Sequence, residues 1–496
     1  MVSFKFLGIA LAANITVLNA LSIHDKDAAT REFRRKLSPG AKIYFPSDPN
    51  YTNLTAQRWT VYEEPTYSAT IIPAVDSDVQ NIVKIAGRYG IPFLATGGGH
   101  GLSTTLSKLQ DGINIDLSLF KRVDINLKAS TVTVGGANVF GDVFKSVWDA
   151  GKEMVTGSCA CPGIVGATIG GGVGRLQGVH GLIIDTLVEA VVVTADGSLV
   201  TASEKKNSDL FWALRGAGGS YGIILWATYR LFDQTNGGMA FNADFVFPVN
   251  QSVNHWQTLK EAAKNLPAEM ALISAVNYND AYGGANILFN AVFYGPEAIG
   301  RKFIEPFYKN QPLISNVSYV HAYELLAVAV FGLFNDKQCA KGRHVNTYTV
   351  GQTDVDVATW DGHTRNMTEL WTKYPQTRRS NAFLETFPNQ AVLAADPHGT
   401  KTAFPKTHRE ITNYVLWGYN YDDDSIDDEV NDFARTARTA FTETSGFKEM
   451  NLYVTYAHGD EGPKIWYKEK LARLKQIKRK YDPKQLFRFM NPVPLH

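Results

Sequence analysis

One histidine and one cysteine stand where almost no side chains surround them. His100 sits at the tip of Gly97-Gly98-Gly99-His100-Gly101, and Cys159 lies in GSCACPGIVGATIGGGVG at 157–174, which holds seven glycines in eighteen residues. A third glycine-rich stretch runs over 216–222. Glycine tolerates positive φ and lets backbone N–H groups come close to a ligand, which is how loops cradle pyrophosphate. Together the three clusters predict a site for a large phosphorylated cofactor, with His100 and Cys159 as its candidate reactive side chains. Neither the G-x-G-x-x-G of a Rossmann turn nor the G-x-x-x-x-G-K-[ST] of a P-loop occurs in them, which disfavours a standard nicotinamide dinucleotide site and a nucleoside triphosphate site. Cys159-x-Cys161 lacks the spacer of a zinc knuckle and no nearby Cys/His pair completes one, so no metal is expected.

Such loops need elements to hold them. Residues 73–90 read as one helix capped by Asp76 or Ser77, with Val79, Ile82, Val83 and Ala86 at helical spacing. An apolar strand at 91–95 runs straight into the His100 loop. Residues 113–117 and 131–134 alternate as strands, and Val139, Val143 and Val147 line a helix ended by Gly151. Within 157–174 no side-chain core is expected. A strand at 188–194 ends at the Asp196-Gly197 turn, and a helix at 208–215 leads into the third glycine stretch. Near 232–238 the composition shifts to aromatic-rich segments with fewer glycine clusters, which predicts a second, α+β domain to about Lys448. Residues 465–481 read as a basic helix, and Asp460 and Glu461 as an exposed turn.

At 496 residues the chain exceeds what one core usually serves, so two to three domains or one large α/β enzyme are expected. Its 49 basic and 48 acidic residues leave a formal charge of +1, which excludes a chain-wide field for nucleic acid or an anionic membrane and points to small-molecule partners. With 45% hydrophobic and 20% charged residues, extended disorder is excluded, and three cysteines exclude a disulfide scaffold. Residues 1–20 combine a lysine at position 5 with an apolar run over 6–13, which predicts a signal peptide cleaved after Ala20 and hence secretion. Five Asn-x-Ser/Thr sequons, at Asn50, Asn53, Asn250, Asn316 and Asn366, fit passage through a glycosylating lumen. No other stretch is long and apolar enough to span a membrane.

The GGGHG at 97–101, the GSC at 157–159 with GGG at 170–172, and Gly181-Leu182-x-x-Asp185 resemble the berberine-bridge-enzyme-like branch of the vanillyl-alcohol-oxidase flavoproteins. The resemblance runs from about Thr60 to Phe232 and resumes at Tyr453-x-x-Tyr456 and Tyr481-Asp482-Pro483. It implies an α+β fold: a two-part PCMH-type FAD-binding domain (21–235 and 449–496) with an inserted α+β substrate domain (236–448) made of an antiparallel sheet covered by helices. It also implies FAD bound by Gly97, Gly98, Gly99, Gly101, Gly163, Gly166, Gly170, Gly171, Gly172, Gly174 and Asp185. The histidine matching His100 bonds covalently to the flavin in that family, and the cysteine matching Cys159 adds a thioether. Cys161 is extra: it is either the linker in place of Cys159 or the partner of Cys339 in a disulfide that leaves Cys159 to the flavin.

The resemblance further implies a catalytic role for Tyr453 and Tyr456, with Thr455 where relatives carry asparagine, and Pro162 replaces a small aliphatic residue beside the flavin. A tyrosine titrates near 10 and needs help to act as a base near neutrality, and Glu385 is the candidate carboxylate. The expected function is a secreted FAD-dependent oxidoreductase moving a hydride from a small oxygenated natural product to covalent flavin, with O₂ as acceptor and H₂O₂ as product. The alternatives are a carbohydrate oxidase and a secreted flavin-fold protein without chemistry.

Overall fold

The computed structural model describes residues 23–334 and 338–496, so the expected signal peptide lies outside the described residues. The first of its three main sheets has the strand order Lys42–Tyr44, Tyr67–Ile72, Gly112–Asp116, Phe93–Thr96, antiparallel at the first pair and parallel beyond it. A helix at Asp76–Tyr89 leads into the strand Phe93–Thr96 and buries Val79, Ile82, Val83 and Ala86 in one cluster with Ile71, Phe93, Ile113 and Ile115. It begins later than 73, and neither Asp76 nor Ser77 caps it. The Asp78 carboxylate reaches back instead to accept the N–H groups of Ala74 at 3.0 Å and Val75 at 3.2 Å, together with the Ser38 N–H and hydroxyl at 2.7 Å. An acceptor in the first turn serves these free donors better than one at its threshold.

The second sheet is antiparallel, ordered Val123–Asn126, Thr131–Gly135, Ile223–Arg230, Leu187–Val193, Leu199–Ser203. Its core corrects one expectation. A short helix, Ile164–Thr168, forms inside the glycine-rich 157–174 segment and buries Ile164 and Val165 with Val134, Phe140 and Leu214. Two branched side chains between Gly163 and Gly166 suffice to anchor the loop in the core.

The third sheet, seven-stranded and antiparallel, runs Ile314–His321, Met239–Pro248, Gly284–Phe293, Met270–Asn279, Asn381–Thr386, Asn413–Asn420, Val345–Gln352. Side chains alternate across it. Leu272, Val276, Ala382 and Leu384 share a cluster with Trp256, Trp360, Trp371 and Phe441 of the covering helices Ser252–Ala263, Val357–Lys373 and Asp427–Glu443. Ala271, Ile273, Ala275 and Phe383 share the opposite cluster with Tyr453 and Tyr456. Glu385 is paired in register with Ile273 and Tyr414, so it lies on that second face.

Two C-terminal expectations also change. Residues 465–481 do not form one helix: Pro463–Tyr467 and Leu471–Tyr481 are separated at Lys468, whose φ is 41° and whose Nζ donates to the Met450 carbonyl at 2.7 Å. Nor is Glu461 exposed. Its carboxylate accepts the N–H groups of His458 and Gly459 at 3.0 Å and the Trp466 indole N–H at 2.9 Å, and Arg438 pairs with Asp460 beside it at 2.6 Å.

Candidate active site

A cavity of about 350 Å³ is walled by all three sheets, through Phe93 and Thr96, through Ile223 and Ile224, and through Phe383, Glu385 and Leu416. Its size falls in the range of small-molecule and cofactor sites, ~300–1,000 Å³. Gly97, Gly98, Gly99, His100 and Gly101 enter from the end of the strand Phe93–Thr96, and Cys159, Pro162, Gly163 and Gly166 enter from the second loop. The two loops touch: a Cβ on Gly98 would stand 2.5 Å from the Gly163 nitrogen. At Gly166 a Cβ would meet nothing within 4 Å, because the space beside it is cavity.

Other expected cofactor residues lie behind this wall. Tyr453 accepts the Gly172 N–H at 3.1 Å and donates to the Ala167 carbonyl at 3.1 Å, so it fastens the Gly170, Gly171, Gly172 turn to the preceding helix. Gly174 and Asp185 are also outside the cavity lining. The Asp185 carboxylate accepts the Leu182 N–H at 3.0 Å and is held by two guanidinium N–H groups of the buried Arg409, each at 2.8 Å. It clasps the chain behind the glycine turn.

Cys161 is bonded to Cys339, which takes it out of the linker role and leaves Cys159 as a thiol. That thiol donates to the Phe334 carbonyl at 2.9 Å, and burial pushes its pKa up to about 11. Burial, reinforced by the positive charges of Lys341, Arg343 and Arg58, pushes His100 down to about 4, so its imidazole is neutral near neutral pH. Its Nε2 is buried without a hydrogen-bond partner among the described residues. Across the cavity the Tyr456 hydroxyl donates to Glu385 Oε2 at 3.0 Å. Burial pushes Glu385 up to about 7 against the pull of that hydrogen bond and of the Arg175 charge. Tyr456 is driven well above the usual phenol range, by burial first and then by the Glu385 charge.

A cradle open at Gly166, a neutral imidazole with an unpartnered Nε2, a thiol and a largely apolar cavity fit a large planar cofactor with a phosphate-bearing tail. Residues 67–203 match the FAD binding domain family, and residues 452–494 match the berberine and berberine-like family. FAD-linked oxidoreductase tazG of Aspergillus terreus is 40% identical over 490 residues, covering 98% of this chain and 99% of its own. FAD-linked oxidoreductase azaL of Aspergillus niger is 38% identical over 467 residues, covering 94% and 98%. The fold and site define an FAD-linked oxidoreductase of mixed α+β architecture. The chain belongs to the berberine-bridge-enzyme-like family of the PCMH-type FAD-binding proteins.

Among solved structures the fold is similar to that of Physcomitrella patens BBE-like 1, with a TM-score of 0.81, 21% identity and coverage of 94% of this chain and 99% of that one. It is similar too to the xylooligosaccharide oxidase of Myceliophthora thermophila C1 in complex with xylobiose, at 0.79, 21%, 95% and 99%. The glucooligosaccharide oxidase of Acremonium strictum, described as carrying a 6-S-cysteinyl, 8α-N1-histidyl FAD, matches at 0.78, 19%, 94% and 99%. Among the described residues no helix is long and apolar enough to cross a membrane.

Several site residues escaped sequence reasoning. Trp59 stacks on His100 with ring centroids 5.5 Å apart and 27° between planes, and Arg58 donates to the Gly101 carbonyl at 2.7 Å. Phe334, Phe383, Leu416, Phe487 and Phe489 line the cavity. Phe487 and Phe489 flank Arg488 in an apolar–polar–apolar pattern, which is the only local mark this stretch carries; Trp59 carries none.

Proposed function

We propose that this oxidoreductase is a secreted oxidase that removes a hydride and a proton from a small, oxygenated, largely apolar natural product and passes the electrons to O₂, giving H₂O₂. The observation that carries the substrate class is the setting of the Glu385–Tyr456 pair: Phe334, Phe383, Leu416 and Val173 line the cavity beside it. Such walls bury apolar rings and offer a polyhydroxylated sugar few hydrogen-bond partners.

Bound FAD supplies a two-electron acceptor for hydride. Gly97, Gly98, Gly99, Gly101, Gly163 and Gly166 would hold it by close backbone approach, and His100 and Cys159 would tether it, as the doubly linked flavin of the Acremonium strictum enzyme suggests. The protein's own task is the proton. A substrate hydroxyl beside Tyr456 would give its proton to the phenol oxygen while the phenol proton passes to Glu385 Oε2 along the 3.0 Å hydrogen bond. Because Tyr456 titrates so high, a coupled transfer avoids a free phenolate. Tyr453, occupied on both its donor and acceptor sides, positions the glycine turn.

Secretion and glycosylation are part of the proposal. All five sequon asparagines are exposed, and the Cys161–Cys339 disulfide suits an oxidising compartment. The test is a substrate panel with peroxide detection, pairing hydroxylated aromatic and terpenoid-like alcohols with oligosaccharides. Peroxide from the oligosaccharides alone overturns the substrate class, and flavin bleaching without peroxide overturns the choice of O₂. Intact mass of the denatured chain should show added FAD that disappears only when His100 and Cys159 are both replaced by alanine.

A further inference from the structure

Segment 338–345 lies within the inserted region, yet it is stitched to the loop that carries His100. Trp59 donates its backbone N–H to the Gly99 carbonyl at 2.9 Å, and Arg58 donates a guanidinium N–H to the Gly101 carbonyl at 2.7 Å, so residues 58 and 59 grip His100 on both sides. Those two residues are gripped in turn. Gly342 N–H donates to the Arg58 carbonyl at 2.9 Å, Arg343 N–H to the Trp59 carbonyl at 3.3 Å, and Val61 N–H to the Arg343 carbonyl at 2.9 Å. The Trp59 indole N–H donates to the Gln338 carbonyl at 2.6 Å, and the Arg343 guanidinium lies 4.6 Å from the centre of the Trp59 ring, whose stacking partner is His100. The disulfide at Cys339 ties the same segment to Cys161, two residues from Cys159.

We infer that segment 338–345, anchored by the Cys161–Cys339 disulfide, is a brace that orients His100 for covalent attachment of the flavin, with Trp59 and Arg343 as its positioning residues. This rests on the covalent linkage proposed above. Attachment breaks one C–H bond of a flavin ring methyl and one imidazole N–H bond and forms one C–N bond; the two electrons and two protons pass to O₂ as H₂O₂. The attacking imidazole must be neutral with a free lone pair, and its ring must be aimed. Burial first, and then the positive charges of Lys341, Arg343 and Arg58, favour the neutral form, and the Arg343–Trp59–His100 stack fixes its plane. A misplacement of ~1 Å costs such a step ~10²-fold.

The test is run in a Cys159→Ser background, so that only the His100 bond is counted. Flavin retained by the acid-precipitated chain is read by in-gel fluorescence and intact mass, and flavin released to the supernatant is read beside it. Trp59→Leu and Arg343→Met should each slow attachment by at least about tenfold, moving flavin from pellet to supernatant. Trp59→Phe, which keeps a stacking ring, should restore it, and the Cys161→Ser/Cys339→Ser pair should behave as Trp59→Leu does. Parental retention in Trp59→Leu overturns the brace while leaving the linkage standing. Arg343 is only half-buried, so if Trp59→Leu does not fold, unchanged retention in Arg343→Met overturns it equally. A colourless pellet from the parent overturns the linkage, and the brace with it.

Discussion

The hydroxyl of Tyr456 lies 3.0 Å from Oε2 of Glu385, joining a C-terminal 3₁₀ turn to an inner strand of the seven-stranded sheet across 71 residues of sequence. If the two groups move one proton together, removing either removes the relay. Glu385→Gln and Tyr456→Phe should each lower kcat by ~10²–10⁴-fold, and the double variant should be little worse than either single one. Steady-state turnover checks this, with the flavin absorbance confirming that the cofactor is still bound.

The relay also sets a pH limb. Glu385 must be ionised to receive the proton, and burial holds it at about 7. Turnover should therefore rise with pH through about 7, where an ordinary glutamate would have placed the limb near 4.5. A pH profile of flavin reduction measured by stopped flow reports it, and a limb near 4.5 would remove Glu385 from the role.

The same shift predicts a cost to the fold. Glu385 ionises near 4.5 in the unfolded chain and near 7 in the folded one, so between those values the folded state binds more protons and stability falls as pH rises. Glu385→Gln should raise the melting temperature at pH 8 relative to the parent and change it little at pH 4.5. Thermal unfolding at the two pH values measures the difference.

Asp185 and Arg409 form a buried pair behind the cavity, with two hydrogen bonds of 2.8 Å. Neutralising Asp185 leaves Arg409 only the buried Asp396 carboxylate, 3.9 Å away, so Asp185→Asn should destabilise the protein by about 3 kcal/mol. The folded fraction should keep its flavin. Urea unfolding gives the first quantity and flavin content per folded chain the second; loss of flavin at unchanged stability would return Asp185 to the cofactor site.

How much of this was legible in the sequence depended on the range over which each residue acts. The His100 and Cys159 loops stood out because glycine density is a local signal, and the strand that delivers His100 is directly adjacent to it. Tyr456 carries no local mark and comes from a resemblance to known proteins; Glu385 follows from the need of such a tyrosine for a carboxylate, and the sheet register puts it on the cavity face. Trp59 was invisible because its partners are far along the chain, Gln338 being 279 residues away. The single basic helix over 465–481 failed for a related reason. Its propensity is unbroken, but Lys468 takes positive φ with its ammonium on the Met450 carbonyl, a tertiary demand that no window of neighbours contains.

The cavity draws Gly163 from one part of the chain and is finished by Phe487, Phe489 and Met490. A ribosome adding ~5–20 residues per second needs on the order of tens of seconds to travel from the first of these to the last. Throughout that interval the emerging chain holds two glycine loops with no far wall. The wall at 487–490 is therefore the last part of the seat to be made.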